Sequence, residues 1–295
     1  MSHAKVPVAA IRGLITDALV AAGLRHADAE QCAALMGEAD LTGADAHGVF
    51  RLPQYVRRLK AGGFNKEPHI KVDRSAPATA LVDGDNGMGH LVMSRAAETA
   101  ITLARETGVA WVGVRRSNHA GPAGLYAEMP AAQGMIGMYA AVANANHMAV
   151  WGGADPLLGT NPLAIAVPSG TGPYVLDMAT TVVSYGTVKN HALQGKPLQR
   201  GWMVNTATGE DIIDPKRSAE GLLLPIGGYK GSGLPSCSAS SAARSIVRRS
   251  AATSSISTPT TPARPIPGIS LWRSTWRASS RSPNTRPRST GISMS

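Results

Sequence analysis

The sequence is poor in cysteine and phenylalanine and has no long apolar segment. Only two cysteines, Cys32 and Cys237, occur in 295 residues, and this wide separation predicts neither a disulfide framework nor a metal-binding pair. No run approaches the roughly 20 apolar residues of a membrane helix. The N-terminal stretch MSHAKVPVAAIRGL lacks the charged start, apolar middle and cleavage site of a secretory signal. We therefore expect a cytoplasmic protein that does not associate with membranes.

Acidic residues are absent from positions 235–295, where all nine charged residues are Arg. Positions 1–234 hold the other 20 Lys and Arg together with all 19 Asp and Glu, so the net charge of +10 is +9 from the tail and +1 from the body. The basic charge thus gives no reason to expect that the body binds nucleic acid. Nucleic-acid binding through the tail is the less favoured alternative.

The composition changes near Leu234, from Gly-punctuated apolar segments to a stretch rich in Ser, Arg, Thr, Pro and Ala. One interpretation is a disordered basic tail. We favour a shifted reading frame, in which the first two bases of each codon become the second and third bases of a new codon. A Ser codon TCN then reads NTC, which encodes Phe, Leu, Ile or Val. Allowed codons then give ALVLGLLSGTLNR for 234–247, AAVGRDVVDFDAD for 248–260 and PANTGHFFVAVDVARFS for 264–280. These segments are typical of helices and strands.

The body begins with helical patterns and continues with alternating strands and helices. Apolar spacing predicts helices over 6–22, from Asp28 to Leu41 with Gln31 completing a capping box, and over about 48–61. From residue 79 we predict the strand TALVDGD, a helix over about 90–107, a strand at 109–114 and a helix over about 122–133, followed by the strands MIGMYAAVA, PLAIAVP and YVLDMA. The expected fold is α/β, with a helical N-terminal segment (1–75), an α/β body (76–234) and a disordered or non-native tail (235–295).

Five segments hold more Gly, His and polar residues than core packing requires: DAHGVFRLPQY, SNHAGPAG, WGGADPLLGTNPLAIAVP, YVLDMATT and GGYKGSGL. In the first, His47 and Arg51 are four residues apart and share one face of a helical turn. An imidazole titrates near neutrality and Arg holds carboxylates bidentately, so the pair suits proton transfer to or from a hydroxyl beside a carboxylate. A helix-start His with a surface Arg is the alternative.

The other segments carry weaker signals. His119 lies between a strand and a helix, a common place for functional loops, or it is simply bonded within a Gly-rich turn. Thr160 belongs to GTNP, which is typical of a turn before a strand. Asp177 within an apolar strand needs a partner, so it is functional or tightly paired. Lys230 lies among glycines in a pattern that resembles a phosphate cradle, but GxxxxGK[ST] is absent.

Two common kinds of site are not supported. The glycines at 84–89 have the wrong spacing for GxGxxG, so a Rossmann fold is not expected. His47, His119, His147 and His191 match no standard ligand spacing, and we expect no metal site.

Taken in order, the five segments resemble the type-2 malate/L-lactate dehydrogenase family over residues 6–234. The resemblance rests on SNHAGPAGLYAEM, WGGADPLLGTNPLAIAVP, LDMATTVVSYG and LLPIGGYKGSGL. It implies a non-Rossmann mixed sheet with helices, a homodimer, NAD or NADP as cofactor, and hydride transfer between the cofactor and a small 2-hydroxy acid or 2-oxo acid. The shifted-frame segments GRDVVDF and NTGHFFVAVD look like what this family carries next.

The resemblance also implies roles for individual residues. His47 matches the proton donor or acceptor, Arg51 a ligand of the substrate carboxylate, His119 a second active-site histidine, and Thr160 a residue lining the same pocket. The implied cofactor contacts are Pro173, Tyr174, Val175, Leu176, Asp177, Met178, Ala179, Tyr229 and Lys230.

Two departures from the family pattern bear on function. Ala46 stands where the family usually has Ser, so the resemblance implies the reaction type rather than a particular substrate. A cofactor-contacting segment near the C-terminus of the family is missing from this reading frame. We therefore expect residues 76–234 to form an incomplete cofactor-binding domain, beside residues 1–75, which contribute catalytic residues. An inactive, truncated remnant of such an enzyme is therefore the main alternative function.

Overall fold

The structure, a computed structural model, describes residues 5–44, 46–143 and 145–234. The basic tail and its shifted-frame interpretation lie outside these residues. Within the described part the chain folds into six helices, two 3-10 turns and ten short strands in three sheets.

The N-terminal part is helical, as predicted, with α1 at Val8–Ala21, α2 at His26–Leu41 and α3 at Leu52–Lys60. A 3-10 turn at Val49–Arg51 leads directly into α3. The apolar faces of these helices meet in one core, whose most buried members include Ile15, Leu19, Met36, Tyr55 and Leu59. Burial of this shared face stabilises helices that would be marginal alone.

The capping box predicted at the start of α2 is wrong. The helix begins two residues earlier, at His26, and the N-cap residue Arg25 makes no side-chain capping bond. Asp28 instead lies in the first turn, where its carboxylate pairs with the Arg25 guanidinium at 2.7 Å. A charged partner just before the helix thus engages the carboxylate that the capping box would use.

The first sheet has the order β1 (Lys71–Ala76), β2 (Thr79–Asp83) and β3 (Trp111–Arg115). β1 and β2 form an antiparallel hairpin, whereas β2 and β3 are parallel and are joined by α4 (Gly89–Thr107). α4 ends at Gly108, whose φ of 81° is a left-handed conformation that glycine adopts at little cost. β1 is exposed along its whole length, which explains why its sequence lacks a strand pattern.

Two further sheets complete the described fold. α5 (Gly124–Ala131) packs through small residues on the antiparallel sheet β4–β7–β8, formed by Gly137–Ala140, Leu163–Val167 and Tyr174–Met178. The other sheet has the order β6–β5–β10–β9, formed by Pro156–Leu158, Met148–Ala149, Gly221–Leu223 and Met203–Asn205. Beside it, α6 (Tyr185–Gln194) follows the Ser184 N-cap.

The predicted fold class is confirmed: small mixed sheets and helices follow a helical N-terminal segment, and no sheet of the described chain is doubly wound. The segments that the sequence did not predict are β1, β5, β6, β9, β10 and α6. Among the described residues, no helix is both long enough and apolar enough to cross a membrane.

Candidate active site

His47 lies in the tight connection between α2 and α3, and Gly48 makes that connection possible. The Asp40 carboxylate accepts a hydrogen bond from the Val49 N–H at 2.9 Å. The same carboxylate packs directly against Gly48, where a Cβ atom would overlap it. Any larger residue at position 48 would therefore push the chain away from α2 and displace His47.

The structure brings His47 and His119 together across about seventy residues of sequence. Their rings are parallel, with centroids 5.6 Å apart and an interplanar angle of 8°. His119 lies in the loop between β3 and α5. Both imidazoles are half-buried, and burial is the main reason that the pKa of His47 is lowered to about 4 and that of His119 well below its ordinary value. Both rings are therefore neutral near pH 7.

Arg51 supplies the positive charge beside this pair. Its Nε donates to the Ala46 carbonyl at 2.7 Å and its Nη1 to Gln54 at 2.9 Å. After burial, its charge is the next largest cause of the lowered pKa values of both histidines. A Cβ atom at Gly186, near the start of α6, would lie 3.4 Å from Nη2 of Arg51. The guanidinium thus stands where the N-terminal helices meet the second half of the chain.

Two residues that the sequence reasoning missed lie beneath the pair. The Tyr55 hydroxyl is 2.6 Å from Nδ1 of His119, and the Tyr55 side chain is only 1% exposed. His90 is fully buried and meets the Tyr55 ring edge-on at 5.5 Å. Tyr55 follows His47 and Arg51 by eight and four residues, a helical spacing that could have identified it. The sequence gives no comparable spacing signal for His90, because α4 lies far along the chain from His47 and Arg51.

Asp177 has the partner that its position in a strand required. Its carboxylate accepts a hydrogen bond at 2.7 Å from the N–H of Gly124, at the start of α5. Burial nevertheless raises the pKa of Asp177, because it outweighs the N–H groups of Ala123 and Gly124 that favour the charged form. The bond ties β8 to the end of the loop that carries His119.

Three segments that hold predicted residues meet near the end of β8. The Thr160 carbonyl accepts from the Thr180 N–H at 2.9 Å, and the Thr180 carbonyl accepts from the Ile226 N–H at 3.0 Å. The GTNP turn, the end of β8 and the chain leading to Tyr229 are therefore adjacent. This places Thr160 with the predicted cofactor residues, and the structure describes no contact between it and the two histidines.

Most of the predicted cofactor residues are open to solvent. Tyr174 is 74% exposed and Tyr229 is 64% exposed, while Lys230 is also exposed. Pro173, Leu176 and Asp177 are also exposed, and Val175, Met178 and Ala179 are partly buried. Just before Tyr229, Gly227 and Gly228 both adopt left-handed φ values, 60° and 65°, which gives the turn its shape.

The other histidines make ordinary contacts. His147 stacks on Tyr185 with ring centroids 4.0 Å apart, at the wall of an open cleft of about 740 Å³. Nδ1 of His191 bonds the Pro197 carbonyl at 2.9 Å, and its ring meets Trp202 edge-on. Within the described ranges no group of three or more His, Cys, Asp or Glu side chains is arranged to hold a metal ion.

Comparison with known proteins identifies the family of this chain. Residues 6–238 match the family described as malate/L-lactate dehydrogenase. The chain is 38% identical over 234 residues to a malate dehydrogenase of Pyrococcus abyssi, covering 77% of this chain and 63% of that protein. It is 40% identical over 222 residues to an L-sulfolactate dehydrogenase of Methanocaldococcus jannaschii, covering 75% of this chain and 64% of that protein.

A solved structure shares the fold as well. The crystal structure of malate dehydrogenase from Entamoeba histolytica superposes with a TM-score of 0.77 at 31% identity, covering 80% of this chain and 69% of that one. The chain spans just under two thirds of the length of the curated relatives it matches. From the family match over most of its length, we conclude that this chain belongs to the malate/L-lactate dehydrogenase family.

Proposed function

We propose that this protein is an NAD(P)-dependent oxidoreductase that interconverts a small 2-hydroxy acid and the corresponding 2-oxo acid. The observation that carries the proposal is the assembly of two neutral, half-buried imidazoles beside the Arg51 guanidinium. An enzyme for this reaction needs a group that exchanges a proton with the substrate oxygen and a cation that holds the carboxylate. The names of the relatives, which include malate and sulfolactate dehydrogenases, support the same substrate class.

The residues along β8 and around Tyr229 fit a dinucleotide cofactor by their chemistry. Lys230 offers an ammonium group for a phosphate, Tyr174 and Tyr229 offer exposed rings for stacking, and β8 is an edge strand of the described sheet. We propose Pro173–Ala179, Tyr229 and Lys230 as the cofactor contacts. Relatives named as NAD(+)- and NADP(+)-dependent enzymes, each 35% identical, support either cofactor.

In the proposed mechanism the cofactor, when bound, supplies or accepts the hydride. Arg51 binds the substrate carboxylate and so fixes which face of the substrate is presented. His47, neutral because of burial and the Arg51 charge, accepts the hydroxyl proton during oxidation. A bound carboxylate offsets the Arg51 charge, which raises the pKa of His47 and lets it return the proton during reduction. His119 and Thr160 are assigned to the substrate pocket.

We also propose that residues 1–75 contribute catalytic residues, that residues 76–234 hold the cofactor and contribute His119, and that the protein is a cytoplasmic homodimer. The family resemblance supports the dimer, and the low cysteine content is compatible with a reducing compartment. Sedimentation velocity of the purified chain tests the dimer, and a monomer at micromolar concentration would contradict it. Sequencing codons 225–295 tests the shifted frame, and DNA that encodes the tail as printed would exclude it.

The experiment that tests the function is an absorbance assay of NADH and NADPH consumption with a panel of small 2-oxo acids. We expect turnover with at least one acid and none with the matching aldehydes, which lack the carboxylate that Arg51 binds. A folded protein that binds either cofactor but turns over no acid would overturn the proposal and favour an inactive remnant. Salt-sensitive binding to nucleic acid that is lost on deletion of 235–295 would favour the tail function instead.

A further inference from the structure

Two hydrogen-bond donors converge on one ring nitrogen of His119. The Tyr55 hydroxyl lies 2.6 Å from Nδ1, and the Gly121 N–H donates to the same atom at 3.3 Å. A backbone N–H can only donate, so Nδ1 must accept. The Tyr55 hydroxyl must then donate to Nδ1 too, because an unprotonated ring nitrogen has no proton to give.

The charge state of His119 completes the assignment. Burial and the neighbouring Arg51, His47, His90 and Arg58 hold the pKa of His119 well below its ordinary value, so the ring is neutral near pH 7. A neutral imidazole carries one proton. With Nδ1 accepting, that proton is on Nε2.

We propose that Tyr55 is a positioning residue that holds His119 as the neutral Nε2–H tautomer. His119 then offers a fixed hydrogen-bond donor beside His47, suited to the oxygen of a 2-oxo acid or of the alkoxide that forms from it. The inference rests on the proposed function only for the identity of that oxygen.

The Tyr55 side chain is itself held in place by the residues around it. Its ring is enclosed by the N-terminal core and meets Phe64 and the fully buried His90. Burial raises the pKa of the Tyr55 phenol far above its ordinary value, so the hydroxyl keeps its proton and remains a donor. Gly121 turns with φ 79°, and a Cβ atom there would lie 3.2 Å from Nε2 of His90. Glycine thus lets the loop direct its N–H at Nδ1.

The two stacked histidines therefore have different environments. Within the described part of the chain, no donor or acceptor is hydrogen-bonded to the His47 ring, whereas Nδ1 of His119 has two donors. A ring without fixed partners can exchange a proton, and a ring with a fixed tautomer can donate a hydrogen bond without giving up its proton. The arrangement assigns proton transfer to His47 and oxygen binding to His119.

The test is nitrogen-15 NMR of the full chain labelled at histidine, at pH 7, with His119 assigned by the loss of its signals in His119→Gln. We expect Nδ1 of His119 without a proton and Nε2 with one. In Tyr55→Phe we expect a measurable fraction of the Nδ1–H form and a fall in kcat of about tenfold, as loss of one strong hydrogen bond predicts. A wild-type His119 that is protonated at Nδ1, or charged, would overturn the proposal, even if Tyr55→Phe does not fold.

Tyr126→Phe is the matched control. The Tyr126 hydroxyl is also buried and donates to the same loop, at the Ala120 carbonyl, 2.5 Å away. We expect this variant to loosen the loop without changing the His119 tautomer. An equal change in both variants would reduce Tyr55 to a packing role and reject the proposal. Because the NMR measurement needs no turnover, a correct tautomer in a chain without dehydrogenase activity would uphold the positioning role and reject only the proposed function.

Discussion

The histidine pair and the proposed cofactor region, formed by β8, Tyr229 and Lys230, are built in opposite ways. His47, Arg51 and His119 stand on a closed core formed by the N-terminal helices, and the layer beneath them, Tyr55 and His90, is 0–1% exposed. In the proposed cofactor region, in contrast, Tyr174 at the start of β8 and Tyr229 beyond its end are both largely exposed.

The two regions meet the different requirements of proton transfer and of ligand binding. A group that moves a proton needs a controlled pKa, and burial with a fixed neighbouring charge controls it. A surface that receives a large ligand needs accessible donors and rings more than it needs burial. Changes at the first region should therefore alter both chemistry and stability, whereas changes at the second should alter ligand binding alone.

The largest expected effect comes from His47→Ala. Loss of the group proposed to exchange the proton should lower kcat by about 10²- to 10⁴-fold, while the dissociation constant of the cofactor stays unchanged because the proposed cofactor region is intact. Steady-state kinetics and cofactor titration by fluorescence measure both. His69→Ala, at an exposed histidine, is the control, and undiminished kcat in His47→Ala would reject the assigned role.

Next is the effect of pH on stability through His90. Its pKa is about 4 in the folded protein and 6.5 in an unfolded chain. Between these values only the unfolded chain binds the proton, so stability is full above pH 6.5 and falls as the pH falls to 4, by about 3 kcal/mol from this group.

Urea unfolding of wild type and His90→Met between pH 4.5 and 7.5 measures this slope. We expect a shallower slope in His90→Met than in wild type. Identical slopes in wild type and His90→Met would show that His90 is already protonated or accessible in the folded protein.

Arg51→Lys should have a smaller effect. Lysine keeps the charge but loses the fork that binds a carboxylate bidentately and the Nε bond to the Ala46 carbonyl. We expect kcat/KM to fall by about 10- to 100-fold, mainly through KM. Arg57→Lys, exposed on α3, is the control. A fall confined to kcat would instead assign Arg51 to the transition state rather than to substrate binding.

The smallest effect is expected from Lys230→Ala. The side chain is exposed, so the free energy of unfolding should change by less than about 0.5 kcal/mol. If Lys230 contacts a cofactor phosphate as proposed, its loss should weaken cofactor binding by about 3- to 10-fold, more at low salt than at high salt. Calorimetric titration at two salt concentrations, with Lys196→Ala as control, measures this. Equal binding by both variants would place the phosphate elsewhere.

Sequence reasoning anticipated the elements that have strong local patterns. α1, α3 and α4 have apolar faces at helical spacing, and β2, β3, β7 and β8 are short apolar runs between turns. It missed β5, β9 and β10, which are two or three residues long and are defined by their pairing partners rather than by pattern. It also misplaced the start of α2, because Arg25 and Asp28 pair with each other.

The candidate site divides in the same way. The sequence by itself determined the chemistry available: His47 and Arg51 on one turn, a histidine in a Gly-rich loop, and an aspartate that needed a partner, because residue type and local spacing fix these. Only the tertiary structure decided that His119 stacks on His47, that Tyr55 and Gly121 set its tautomer, and that His90 closes the layer below. Those features depend on burial and on contacts between segments distant in the chain, and such contacts leave no periodic trace in a single sequence.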